Sequence, residues 1–391
     1  MGNELRNKVQ SILFSLIIAS ISLMVIIRQM GIPTSDVALH SEWAYKIHSV
    51  SQIFKASSYP LYHIIVKIMV KVTCIPLNYC AALVMAGCNL FTYGILHRYI
   101  VRKNEKNRSS NVFNYLILGM MLAQAIYVPW FNERLYLGQG SINVWHNPTY
   151  TIVKPFAILA FGLLEDIYAD TEKRKVIFSK RWWLLLIVMF FANLAKPSLF
   201  QVLVPGLGLF MLFDLITLKG KQIVKHVEVA AAFIPSAALA LYQAGVSFTT
   251  GVSLEWLGVW KEYSPNPYIS VVLFIAFPLF VLSSRIKEWN NGIKIALCVF
   301  LTGFFETALL AEEGFRRNHG NFFWGYYLGG ALVWLVSVKE FIRWHRSYFE
   351  SGRNDKITSI KLTMGWILFL LHVFSGIYYI YLLLFSPGFL N

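Results

Sequence analysis

The sequence is that of an all-α polytopic membrane protein, with about eleven transmembrane helices and an amphipathic segment in its first outer loop. Three observations lead to this reading. Of 391 residues only 14% are charged and 57% are hydrophobic, with a mean hydropathy of +0.54, whereas soluble domains carry about 25% charged residues. Apolar runs of the roughly 20 residues needed to cross a bilayer's hydrocarbon layer recur along nearly the whole chain. Most of the 35 Lys and Arg residues lie in short segments between those runs: near Arg6 and Lys8, and in residues 97–108, 172–181, 219–225, 285–294 and 339–361. That is the distribution of cytoplasmic loops. It also argues against nucleic acid as the partner of the +15 formal charge, because the cations are dispersed among membrane-facing connections.

The elements follow in order. The run "SILFSLIIASISLMVIIRQMG", residues 11–31, is longer than a signal peptide's apolar core and has no small-residue cleavage site after it, so it reads as a retained first helix. With the N-terminus inside, the basic patches fall on alternate connections. Helix 2 is then expected at about 77–97, helix 3 at 111–131 and helix 4 at about 149–168. Helices 5 (182–199) and 6 (201–218) form a tight pair. Helices 7 (about 227–246), 8 (268–284), 9 (294–310), 10 (322–338) and 11 (362–385) complete a single domain, 1–391, without a separate soluble part and with the C-terminus outside. The segment "PLYHIIVKIMVKVTCI" is apolar enough to span, but a span there would put the basic loop at 98–108 outside. It therefore reads as an amphipathic helix at the outer interface, with Lys67 and Lys71 snorkelling to headgroups. Cys74, Cys80, Cys88 and Cys298 lack metal-ligand spacing and read as packing residues.

The inner loops are basic and plain, whereas the outer ones carry mixed chemistry. The first holds Asp36, His40, Glu42, Tyr45 and His48. The second holds Glu133, Arg134, Gln139, Asn143, Trp145, His146 and Asn147. The third holds Glu255, Trp256, Trp260, Lys261, Glu262 and Tyr263, and the fourth Glu312, Glu313, Arg316, Arg317, Asn318, His319 and Asn321. Lys154, Lys196 and Glu306 add ionisable groups near the outer ends of helices, where such groups are costly and by default functional. Each has a plainer reading. Asp36 can be a helix N-cap, the lysines can snorkel, Glu306 can sit in an internal ion pair, the paired arginines can meet anionic headgroups, and His146 can be a satisfied interface histidine.

"SDVALHSEWAY" (35–45), followed by "YPLYH" (59–63), the amphipathic stretch and a second helix ending in basic residues, resembles the GT-C superfamily of integral-membrane glycosyltransferases, which use lipid-phosphate-linked sugar donors. The likeness covers about the first 100 residues; beyond them only helix count and basic residues before a late outer helix agree. It implies Asp36 as the catalytic carboxylate, a positioned base for an acceptor hydroxyl, with His40 and Glu42 beside it. Arg316, Arg317, Lys196 and His319 become candidates for the donor phosphate, where negative charge develops. Tyr62, Trp145, His146, Asn147 and Glu306 become candidates for sugar or acceptor binding. The loop "GQGSINVWHNPTY" departs from the pattern by lacking a second acidic residue, so a divalent metal, which prefers carboxylate oxygens, is not supported.

The expected activity is inverting transfer of a sugar from a polyprenyl-phosphate-linked donor to a glycan or lipid acceptor, on the outer face of a bacterial cytoplasmic membrane, in cell-envelope polysaccharide assembly or modification. An O-antigen-type polymerase or ligase is a near alternative, although its largest outer loop usually comes late, whereas here the first is the longest. A transporter or flippase of lipid-linked sugars is the alternative from another class. It calls for midplane charges and repeats, and neither is visible here.

Overall fold

The computed structural model describes residues 3–103, 111–131, 134–170, 175–247, 251–351 and 355–386. The order begins with α1 (Asn3–Met30), α2 (Asp36–Tyr45), α3 (Ile53–Ala56), α4 (Leu61–Thr73), α5 (Leu77–Lys103), α6 (Asn111–Leu122) and α7 (Pro148–Ala169). It continues with α8 (Lys180–Ala195), α9 (Ser198–Thr217), α10 (Ile223–Ala231), α11 (Ile234–Ser247), α12 (Gly258–Tyr263) and α13 (Pro267–Ser284). The chain closes with α14 (Asn291–Leu309), α15 (Phe323–Glu350) and α16 (Lys356–Phe385). Two short strands, β1 (Val252–Leu254) and β2 (Leu310–Glu312), pair antiparallel and join two outer loops. Glu133 and the basic residues Lys106, Arg108, Lys173, Arg174 and Arg353 lie outside the described residues.

Each of the eleven expected segments is helical at least in part. Among the described residues six helices are long and apolar enough to cross a membrane, and a seventh span results if α10 and α11 are counted as one. The helices that fall short do so for physical reasons. α15 is enclosed by protein along most of its length, as is α7, so neither needs an apolar surface all round. α14 and α15 approach backbone to backbone through glycine: a Cβ on Gly303 would stand 2.7 Å from the Cα of Tyr326, and one on Gly329 2.8 Å from the Cα of Phe300. Small residues at a helix interface permit this close packing.

Four expectations need correction. Helix 3 does not reach residue 131. α6 stops at Leu122 because the Asn143 amide donates to the carbonyls of Met120 (2.8 Å) and Ala123 (2.9 Å), satisfying the helix end. Helix 7 is two helices bent by 51°, since Pro235 lacks an N–H and crowds the preceding turn. Lys154 does not snorkel, because its buried ammonium bonds the Asn143 side chain. The stretch from residue 339 is not an inner loop: α15 continues to Glu350, and Lys339, fully buried, pairs with Glu165, which also accepts from Tyr99 Oη at 2.6 Å. The interfacial reading of the "PLYH" segment agrees with the length of α4. At 13 residues it extends about 20 Å, short of the roughly 30 Å hydrocarbon layer. Its Lys67, however, donates to the Tyr45 carbonyl at 2.8 Å and so ties α4 to the end of α2.

On the charge pattern of the sequence, the face carrying α2, β1 and β2 is the one expected outside. A cysteine replacing the exposed Asn318 should react with a membrane-impermeant maleimide in intact cells, while one replacing the exposed Lys287 should react only after lysis. The opposite pattern would invert the topology.

Candidate functional site

The end of the bundle that carries β1 and β2 is organised around α2. Ser35 stands in the extended conformation before it and caps it, its hydroxyl accepting from Ala38 N at 3.2 Å while donating to Gln29 O at 2.7 Å. Asp36 is therefore not the cap. Val37, His40, Ser41 and Ala44 bury one face of α2, and Asp36, Leu39, His40 and Trp43 line a chamber of about 770 Å³.

Asp36 is held from the start of α7. Asn147 caps that helix with Oδ1, which accepts from Tyr150 N (2.8 Å) and Thr149 Oγ1 (3.0 Å), so its Nδ2 is left to donate to Asp36 Oδ2 at 2.7 Å. The amide's orientation is fixed by its partners. The same Thr149 hydroxyl accepts from Lys196 Nζ at 2.9 Å. Lys196 reaches this point because Pro197 disfavours the helical conformation of the residue before it. α8 ends, Lys196 is extended (φ −168°, ψ 122°), and its side chain enters the wall. There its ammonium lies 4.4 Å from the centre of the Trp324 ring and 5.4 Å from that of Tyr59, a cation held between aromatic faces. Burial lowers its pKa to about 7, against the opposing pull of Asp36. Burial likewise raises the Tyr59 hydroxyl to about 12, with Asp36 adding to the effect.

The opposite wall comes from residues 312–321. Arg316 lines the chamber with its Nε 3.0 Å from Glu312 Oε1, and Asn321 donates to the other oxygen of that carboxylate. His319 and Arg134 also line it. A second cavity of about 520 Å³ meets the chamber at Tyr59, Lys196, Arg316, Asn321 and Trp324. Its other walls are mainly apolar residues of α9 and α11, including Val204, Pro205, Ala237 and Leu241, and Glu306 of α14 projects into it. A greasy groove thus opens into a polar chamber, with two cations at the junction.

Several expected residues lie elsewhere. Arg317 turns away, donating to Glu255 (2.7 Å) and Glu262 (2.8 Å), and thereby clamps the third outer loop to the fourth. Glu42 is on the surface, paired with Lys46 at 2.6 Å. Tyr62 is fully buried with its hydroxyl 2.8 Å from Ser41 Oγ, and Trp145 is buried in the core. His146 sits behind the chamber wall, Nδ1 2.7 Å from Tyr379 Oη and its ring against Tyr136. Burial lowers its pKa to about 4. His40 Nδ1 is 2.9 Å from His63 Nε2; burial holds His40 well below its usual value and takes His63 down to about 4. Among the described residues no three His, Cys, Asp or Glu side chains come together as a metal-ligand set. Sequence reasoning did not single out Tyr59, Trp43, Trp324 and Phe315. Tyr59 is the first residue of the "YPLYH" turn, and Trp324 follows the arginine loop, so both stood in or next to motifs that were read.

No family model matches the chain, and no curated protein matches it in sequence. A solved structure shares its fold. ArnT from Cupriavidus metallidurans, crystallised bound to undecaprenyl phosphate, aligns with a TM-score of 0.51 over 95% of this chain and 76% of that one, at 8% sequence identity. The polytopic all-helical architecture expected from the sequence is the one found, and its fold is that of this solved structure.

The capping geometry yields a stability prediction. Ser35→Ala should cost about 1 kcal/mol, as loss of a cap does, whereas Asp36→Asn should leave the thermal midpoint in detergent nearly unchanged. A larger drop for Asp36→Asn than for Ser35→Ala would return the capping role to Asp36.

Proposed function

We propose that the protein is a membrane glycosyltransferase that moves a sugar from a polyprenyl-phosphate-linked donor to an acceptor hydroxyl at the outer face of the membrane. The observation that carries this reading is the junction: an apolar groove runs into a polar chamber at Lys196 and Arg316, and the chamber holds an oriented carboxylate, Asp36. Such a pair of cavities suits an amphiphile with a long hydrocarbon tail, an anionic phosphate and a sugar beyond it. The shared fold of a protein crystallised with undecaprenyl phosphate supports the same assignment.

In this reading the donor's chain occupies the groove and its phosphate rests at Lys196 and Arg316, with His319 near. The acceptor oxygen attacks the anomeric carbon from the face opposite the phosphate, so the configuration inverts. As the new C–O bond forms, the bond from the anomeric carbon to the phosphate oxygen breaks, and the electron pair leaves with the phosphate. The acceptor's proton passes to Asp36, whose Oδ2 is engaged by Asn147, leaving Oδ1 for that proton. A phosphodiester with one negative charge becomes a monoester with more, and the two cations stabilise the increment where it develops. Charged groups gathered at one end around a chamber favour chemistry over transport. The buried Lys339–Glu165 pair at the other end is neutralised within itself.

Two outcomes test the roles. Asp36→Asn keeps the shape but cannot accept the proton, so turnover should fall by about 100-fold or more with donor binding retained; wild-type turnover by the folded variant would end the assignment. Lys196 loses its charge as pH rises through about 7, so affinity for undecaprenyl phosphate should weaken from about pH 6 to about pH 8.5 in the wild type. Lys196→Arg, charged throughout, should show a flatter profile. Parallel profiles would remove Lys196 from the phosphate site.

A further inference from the structure

The chamber carries a feature that a phosphate and a base do not explain, namely aromatic surface turned toward water. Trp43 lines the chamber and is 38% exposed, and Phe315, on the facing loop, lines it and is 76% exposed. Tyr136 and Tyr263 complete the apolar part of this wall. Trp43 is not loose. One face of its indole stacks on His63 (centroids 6.1 Å, planes 24° apart), and His40 packs edge-on against it at 4.7 Å. Those two imidazoles are bonded to each other, so the indole is buttressed from behind and its other face is presented to the chamber. Phe315 meets the exposed His319 edge-on, with ring centres 6.1 Å apart. Around the rings stand planar hydrogen-bonding side chains, Glu262, Asn318 and Arg134.

Rigid aromatic faces rimmed by carboxylate, amide and guanidinium groups match one ligand chemistry well. A pyranose ring has an apolar C–H face for the indole and a rim of hydroxyls for the polar groups. A hydrocarbon chain would offer the polar rim no hydrogen bonds, and a bare ionic headgroup would leave the rings wet.

The spacing adds a length requirement. Asp36 and Trp43 lie on one stripe of α2, seven residues apart, which at 1.5 Å per residue is about 10 Å. Measured along the backbone, a single pyranose, roughly 5 Å across by its bond lengths, covers about half that span. We propose that the acceptor is a saccharide of at least two rings entering from the water side, one ring stacked on Trp43 and the next presenting its hydroxyl to Asp36. This rests on the transferase reading above and names its acceptor. Glu42 and Lys46, at the far end of α2, pair with each other at the surface and leave the entrance to the aromatic wall.

The test uses the full chain in lipid nanodiscs. An oligosaccharide array selects a binding series, whose mono-, di- and trisaccharide members are then titrated. Undecaprenyl phosphate is titrated on the same wild-type sample. Affinity should rise at least tenfold from mono- to disaccharide. Trp43→Ala should lose about tenfold for the longer members, the scale of one stacking contact, and Trp43→Phe should recover most of it, which a folding defect would not allow. The disaccharide should bind equally when free and when anchored to a lipid in the disc, marking the rings as what is recognised. Equal affinity for one ring and two, an unaffected Trp43→Ala, or binding only of the lipid-anchored form would each overturn the proposal. Undecaprenyl phosphate binding without any saccharide binding would overturn it while leaving the donor reading intact. Loss of undecaprenyl phosphate binding would instead fall on the groove.

Discussion

The chamber end of this protein depends on one chain of hydrogen bonds running along the first turn of α7. Lys196 donates to Thr149, Thr149 donates to Asn147, and Asn147 donates to Asp36. Every donor and acceptor in it has a defined direction, and because Asn147 Oδ1 is also the helix cap, none can reverse without unpairing a buried group. A cation and a carboxylate from distant parts of the chain are thereby fixed relative to one helix end. Neutral links separate them, so the pair does not collapse into a salt bridge that would quench both.

That arrangement needs irregular backbone inside the bundle, which a membrane protein tolerates only where every polar group finds a partner within the protein. Several backbone groups in the described residues between Ala123 and Asn147 show such partners. Asn143 closes the end of α6, Gln124 donates back to the Asn143 carbonyl, and the hydroxyls of Tyr150 and Tyr327 bond carbonyls at Ser141, Ile142 and Tyr136. At the kink of α13 the ring of Pro278 displaces the helix hydrogen bond to Phe274, and the Trp334 indole donates to that carbonyl at 3.2 Å. Side chains that look like scattered polarity in the sequence thus serve as substitutes for missing backbone partners.

This is why the sequence disclosed the helices better than the chamber. Apolar length and the placement of Lys and Arg are one-dimensional signals, and they located the helical segments and the side of the bundle where the mixed chemistry gathers. The proline after Lys196 carried a local rule that the structure obeys. What the sequence did not disclose was rotation: Arg316 and Arg317 are adjacent, yet one lines the chamber and the other clamps two loops through Glu255 and Glu262. Composition favoured both equally. Lys154 and Lys196 share a Lys-Pro context, but the second ends its helix at the chamber whereas the first serves Asn143 in the core. The aromatic wall was overlooked for a related reason. In a chain with 16% aromatic residues, a tryptophan is unremarked until its neighbours in space are known.

The shared wall between groove and chamber joins two solvents. On the proposed reading, a ligand of the groove is dissolved in the bilayer, and its concentration is a mole fraction among lipids; a ligand on the chamber's watery side is counted per litre. Added detergent or lipid therefore thins out the first and leaves the second untouched. Saturation curves for the two ligands obey different units, and surface dilution, rather than bulk dilution, sets how fully the groove is occupied.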